Sequence, residues 1–147
     1  MRFSPIVTGA RARRAALLAT AGALAVGAGP CGSTSSAGNF KGEQHNVAQT
    51  IADLQSDATA GEQGKICAHD LSAAVVARLG GTKGCEAALK EQVAQVANFE
   101  TTVESVNIEA SGKTATAVVK STYSGKSRES TVRLHKEGGR WKVDGIV

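Results

Sequence analysis

Two periods divide the chain. From Asn39 the apolar residues Val47, Ile51, Leu54 and Ala58 fall at i, i+4, i+7 and i+11, a single stripe on a helical repeat, so an amphipathic helix is expected there. Gln49, Asp53, Gln55 and Asp57 take the opposite face, Asn39 or Asn46 offers an N-cap, and Gly61 or Gly64 offers a stop. Alanines around the stripe make it thin, and a helix of that kind needs a partner to be stable. Lys65–Leu79 is helical in character through Ile66, Leu71, Val75 and Leu79, with Asp70 or Ser72 placed to split it into two short helices. Gly80-Gly81 turns the chain and Gly84 adds freedom. A third helix is expected from Cys85 to about Ala97, with Cys85, Leu89, Val93 and Val96 on one face.

Beyond Asn98 the repeat changes to alternate positions. Val106, Ile108 and Ala110 alternate with Asn107 and Glu109, and Val103 is out of phase with them, which calls for a bulge or a later strand start. Ala115, Ala117, Val119 and Tyr123 form the inward set of a second strand, and Val132 and Leu134 that of a third. Trp141 and Val143 share a face in the closing run Arg140–Val147. Turns at Ala110–Lys113, Ser124–Lys126 and Glu137–Gly139 join these runs, and strands joined by short glycine turns are antiparallel neighbours. The expected fold class is α+β: about three N-terminal helices packed on one face of a four-stranded antiparallel meander.

Cys67 stands four residues before Leu71, and Cys85 four before Leu89, so each thiol opens its own helix's apolar stripe. Helices packed stripe to stripe bring the two together, and in an oxidising compartment that predicts a disulfide. Closing the loop contributes on the order of 3 kcal/mol, chiefly by restricting the unfolded chain. The competing readings are two free thiols and a metal site using Cys67, His69, Asp70 and Cys85. No Cys-x-x-Cys or His-x-x-x-His pair is present to fix a tetrahedral site, and on a helix Cys67 and His69 point apart. No metal and no cofactor is expected.

The charge of the chain changes meaning once its beginning is set aside. Residues 1–30 hold Arg2, Arg11, Arg13 and Arg14 and no acid; of 17 basic residues 13 then remain, against 13 acidic. The net charge of +4 is therefore that of the leading segment, and the electrostatic case for nucleic acid disappears. A basic stretch ending at Arg14 and the uncharged run Ala15–Gly29, with only Thr20 polar, read as a signal peptide. The run is shorter than the roughly 20 residues a spanning helix needs. Arg13-Arg14 is weak evidence for twin-arginine export. Val26-Gly27-Ala28 offers an ordinary cleavage site, whereas Pro30-Cys31 followed by the Gly/Ser/Thr stretch to Gly38 resembles a bacterial lipoprotein junction. With Cys67 and Cys85 paired, Cys31 is left over, and lipidation explains it; Pro30 departs from the lipoprotein pattern, and a free tail thiol is the alternative. Fatty-acid labelling with Cys31→Ala as control separates the two. The organisation expected is signal peptide 1–30, flexible tether 31–38 and a single α+β domain 39–147. Its location is extracytoplasmic: on the outer face of the cell membrane if Cys31 carries lipid, secreted otherwise.

Three helices, a helix–helix cystine and a meander closing in Gly139-Arg140-Trp141-Lys142-Val143 with Ile146 resemble the nuclear transport factor 2-like superfamily. The resemblance covers roughly 39–147 and is to the small exported members of actinobacterial type. It implies a strongly bent sheet wrapped around its helices into a cone, often with a pocket at the mouth. It makes Tyr123 and Trp141 candidate pocket residues. The superfamily holds isomerases, dehydratases and many members without catalysis, so the resemblance does not choose a function.

The residues themselves offer little catalysis. An isomerase on such a scaffold needs a pocket base and a donor for the enolate. Asp53, Asp57, Asp70, His69, Tyr123 and Asp144 are available, yet no spacing pairs an acid with a base. There is no Gly-x-Ser-x-Gly elbow, phosphate loop or dinucleotide fingerprint. Lys113, Lys120, Lys126, Arg128, Arg133, Lys136, Arg140 and Lys142 make the sheet half basic, which solubility and protection of strand edges explain without a docking role. The sequence is thus read as an exported, lipid-anchored cell-envelope domain that is not an enzyme. It is expected to act as a ligand- or protein-binding module, its partner an envelope protein or a small apolar ligand. The alternative is a small pocket enzyme of isomerase or dehydratase type.

Overall fold

Where the sequence changes period, the chain passes from helices to sheet. The computed structural model describes residues 36–94 and 100–147. The expected signal peptide, its cleavage site and Cys31 lie outside the described residues. Helix α1 spans Gly42–Ala60, and Val47, Ala48 and Ile51 of its stripe are buried. It begins between the two expected asparagines, and neither is its cap. Lys41 is the N-cap and makes no side-chain cap bond, and Glu43 sits in the first turn, where a negative charge favours the helix dipole. The stop is the first of the two expected, Gly61 in the left-handed conformation at φ 71°.

The second helical segment is broken, as Asp70 and Ser72 foretell. A single turn α2 (Gln63–Lys65) runs into a π-helical turn, Ile66–Asp70. Leu71 is extended, and Ser72 caps the short helix α3 (Ala73–Arg78), its Oγ accepting from the Val75 N–H at 3.2 Å. The break is used: Leu71 bridges Val143 in parallel fashion, and the Ser72 N–H donates to the Val143 carbonyl at 2.8 Å. Helix α4 spans Gly81–Val93, starting four residues before the expected Cys85. The turn needs only Leu79 and Gly80, the latter at φ 89°. Gly84, expected as part of the turn, lies inside the helix, where a Cβ would run into the Leu79 carbonyl oxygen.

Strands β1 (Glu100–Ile108), β2 (Thr114–Tyr123), β3 (Lys126–Glu137) and β4 (Arg140–Ile146) form an antiparallel meander in the order β1-β2-β3-β4. The register shifts between Val103 and Ser105, which makes a bulge, rather than a later strand start, the reason that Val103 is out of phase, and it shifts again between Arg133 and Leu134. The bulge lets Val103 and Val106 both be buried. The inward set is Ala115, Ala117, Val119, Val132, Leu134, Trp141 and Val143, all buried, while Arg133 and His135 are exposed. The α+β class with one helix-covered sheet face is therefore observed. Ser36–Gly38, assigned to the flexible tether on sequence, instead belong to the folded body. Ser36–Asn39 form a 3-10 turn with Ala37 buried, and the Ser36 Oγ accepts the Val103 N–H at 2.6 Å.

Candidate functional site

Helix α1 crosses the sheet face and separates two hollows. Three polar ties hold it there. Gln44 donates to the Val106 carbonyl at 2.9 Å, the Thr101 N–H donates to Gln55 Oε1 at 3.1 Å, and Thr50 Oγ1 lies 3.4 Å from the Trp141 carbonyl. The buried stripe Val47–Ile51 packs inward, so the residues one step to either side of it face different spaces.

On one side lies an apolar cleft of about 370 Å³. Leu54 and Ala58 line it from α1, Ile66 and Leu71 from the π turn and its exit, and Val75 and Leu79 from α3 and its cap. Leu89, Gln92 and Val93 come from α4, and Val143, Gly145 and Ile146 from the end of the sheet. It adjoins a second hollow of about 130 Å³ that shares Leu54, Ala58 and Ile146 and reaches Ile51, Thr101, Val119 and Val132. No charged residue is among the described residues lining either one. Leu79 and Ile146 are exposed at its rim, Ile146 to 73%.

The Cys67–Cys85 disulfide, predicted from the stripe positions, joins the π turn to α4 with the Cα atoms 6.1 Å apart. It fixes α4 relative to Ile66 and Leu71, and so sets the width of the cleft.

On the other side of α1 lies a polar pocket of about 410 Å³. Asn46, Gln49, Thr50 and Asp53 line it from α1, His69 and Asp70 from the π turn, and Gly139, Arg140 and Trp141 from the β3–β4 turn and β4. Asp70 is 5% exposed, and its Oδ2 has no hydrogen-bond partner. Burial, with Asp57 and Asp53 nearby, pushes its carboxyl up to about 7, against the pull of Lys142. Asp57 is raised as well, first by burial. Trp141 is 4% exposed, and its Nε1 donates to Glu43 Oε2 at 2.7 Å. Lys136 Nζ bonds the same oxygen at 3.0 Å and lies 5.5 Å from the indole centroid. The Trp141 bond, then Lys136, holds the Glu43 carboxyl below its ordinary range.

Of the two pocket candidates named on sequence, Trp141 lines the polar pocket, as a wall whose polar end is already engaged. Tyr123 is 49% exposed at the β2–β3 hairpin and lines none of the hollows described above. Its alternation with Ala117 and Val119 is right, but the hairpin carries it away from the helix-covered part of the sheet. The apolar cleft went unread in the sequence because Leu54, Val75 and Leu89 looked like ordinary stripe residues. A sign of it was available in the alanines of α1, which leave space where bulk would fill it. Lys142, one of the basic residues of the sheet half, is half-buried and donates to the Ala68 carbonyl at 2.9 Å. Edge strand β4 runs beside the π turn, and that brings the two together. Among the described residues no group of three or more His, Cys, Asp or Glu could hold a metal ion, and no helix is long and apolar enough to cross a membrane.

No family model and no curated protein matches the chain. Solved structures that match include a protein from Xanthomonas campestris described as a calcium/calmodulin-dependent protein kinase II association domain. It is 14% identical with a TM-score of 0.45, over 72% of this chain and 86% of that one. A de novo designed protein with a curved β-sheet matches at 18% identity and a TM-score of 0.37, over 45% of this chain and 61% of the design. At those values neither says anything of ligand or partner.

Proposed function

We propose that this domain is a non-catalytic binding module whose apolar cleft takes a small, uncharged apolar ligand at the cell envelope. The observation that carries the reading is the cleft of about 370 Å³, walled by α1, α3, α4 and β4 without a charged group among the described residues. Its size falls within the range of ligand sites, and its lining is of the kind that holds apolar molecules. The body is read as a nuclear transport factor 2-like cone. Two bulges that bend their strands, helices on one sheet face and the helix–helix cystine support this. Export is part of the same reading, supported by the disulfide and by the basic-then-apolar leader, with Cys31 as the lipid-bearing residue.

The rival, a pocket enzyme of isomerase or dehydratase type, has the raised Asp70 beside His69 in its favour. It lacks the tyrosine donor expected for the enolate, because Tyr123 lies outside the pocket lining. Binding rather than turnover is therefore the preferred reading.

Titration with the neutral dye N-phenylnaphthylamine tests it. Fluorescence should rise and saturate with the wild type. Val75→Lys, which sets an ammonium among the cleft's apolar walls, should weaken binding at least about tenfold, a loss of ~1.4 kcal/mol or more. Tyr123→Ser, on the distant hairpin, should leave it unchanged. Equal binding by Val75→Lys would place the dye elsewhere and remove the basis of the reading.

A further inference from the structure

The polar pocket on the far side of α1 carries Arg140 and His69 at exposed positions of its lining, away from its buried end. Gln49 Nε2 is committed to Asp53 Oδ1 at 2.7 Å, and Thr50 Oγ1 to the Asn46 carbonyl at 3.1 Å. Two carboxylates remain in its lining, Asp53 at the exposed rim and Asp70 below it. Asp70 is 95% buried by its 5% exposure, and its Oδ2 is unpartnered. Buried acceptors are nearly always paired, so an orphan carboxylate oxygen beside a cavity marks a missing donor. The indole of Trp141 closes one wall, and aromatic faces and carboxylates together favour cations.

We propose that this pocket is a second ligand site, binding a small primary amine whose ammonium group pairs with Asp70 and Asp53. The ligand class follows from the balance of the lining. An anion at the buried end would meet Asp70, with the exposed Arg140 of the rim as the only cation among the described lining residues to offset the two carboxylates, and a neutral hydroxyl would leave an ionised Asp70 uncompensated. An ammonium supplies three donors and one positive charge. This site does not depend on the apolar cleft, from which α1 separates it.

Binding of this kind is coupled to a proton. Asp70 faces Asp53 and Asp57 from α1 and Lys142 from β4, its field also reaches Lys65 of α2, His69 stands beside it in the π turn, and Arg140 of β4 shares the pocket lining. The two aspartates oppose its ionisation and the lysines favour it, with burial the largest effect. The amine takes the ionised form, so association releases the proton that Asp70 otherwise holds to about pH 7. Affinity must then rise with pH.

Titration of isotope-labelled protein with n-butylamine, followed by amide NMR, reads this directly, with butyrate and butanol as controls. The amides of Asp53, His69 and Asp70 should shift with butylamine and not with the controls. Affinity at about pH 8 should exceed that at about pH 5.5 by roughly 30-fold, the ratio of ionised Asp70 at the two values. Asp70→Asn should abolish the response and its pH dependence, and Asp53→Asn, a change at an exposed position, should weaken binding without touching the fold. Butyrate binding equal to butylamine, a pH-independent affinity, or undiminished binding by both variants would overturn the proposal.

Discussion

Asp70 is the residue whose environment departs furthest from what an aspartate needs. Its carboxyl is held near 7, first by burial and then by Asp57 and Asp53, while an aspartate in the unfolded chain titrates near 3.9. Between those values the folded protein binds a proton that the unfolded chain does not, so stability falls as pH rises through that window. Above about pH 7 the buried charge is present in full. Asp70→Asn removes the titrating group and gives the neighbouring Asp57 carboxylate an amide donor. The variant should be more stable than wild type at pH 8, by on the order of 1–3 kcal/mol, and the two should converge near pH 4. Urea unfolding at both pH values measures this. A wild type whose stability rises between pH 4 and pH 7, or a variant less stable at pH 8, would contradict the environment described. Asp144 lies on the opposite course: Ser72 Oγ donates to its Oδ1 at 2.9 Å, Arg133 pairs with Oδ2 at 3.2 Å, and its carboxyl is held low.

At the scale of elements, the helices are individually weak and depend on what ties them. Helix α3 has six residues and α2 three, too few to persist alone. They are held by the Ser72 cap, the Leu71–Val143 bridge, and the Ala73 N–H donating to Glu137 at 3.2 Å. The Cys67–Cys85 bond closes a separation of 18 residues and restricts the unfolded chain by about 3 kcal/mol. Paired substitution Cys67→Ala with Cys85→Ala should lower the unfolding free energy by about that amount and loosen α4 first. Hydrogen exchange should show protection lost in α4 and the π turn before the meander. Uniform loss across the sheet would argue against α4 as the dependent element. The strand pattern was plain from the sequence because alternation survives single exceptions, and even the bulge showed in the phase of Val103. Helix starts were not. The start of α1 carries no side-chain cap, and α4 opens on Gly81 and contains Gly84, which fits against the Leu79 carbonyl because it has no Cβ, whereas paired glycines read as a turn.

For the whole molecule, the two hollows were less legible than the fold. Trp141 was found because a lone tryptophan in an inward phase has few other places to go. Tyr123 has the same phase but sits on a hairpin whose reach beyond the helices no local pattern records. The apolar cleft arises from what does not fill the space between α1, α3, α4 and β4, and an unfilled volume leaves no residue to read. Its walls nonetheless carry the proposed binding role, since they combine size, absence of charge among the described lining residues and exposed apolar side chains at Leu79 and Ile146. The most direct measurement is amide and methyl NMR of the labelled protein titrated with decanol. Occupation of the cleft should shift Leu54, Ala58, Val75, Leu89 and Val93 together along one saturable curve, leaving the outer face of the sheet at Arg133 and His135 unmoved. Shifts scattered over the surface without saturation, or confined to the outer sheet face, would show that the cleft is not a binding site.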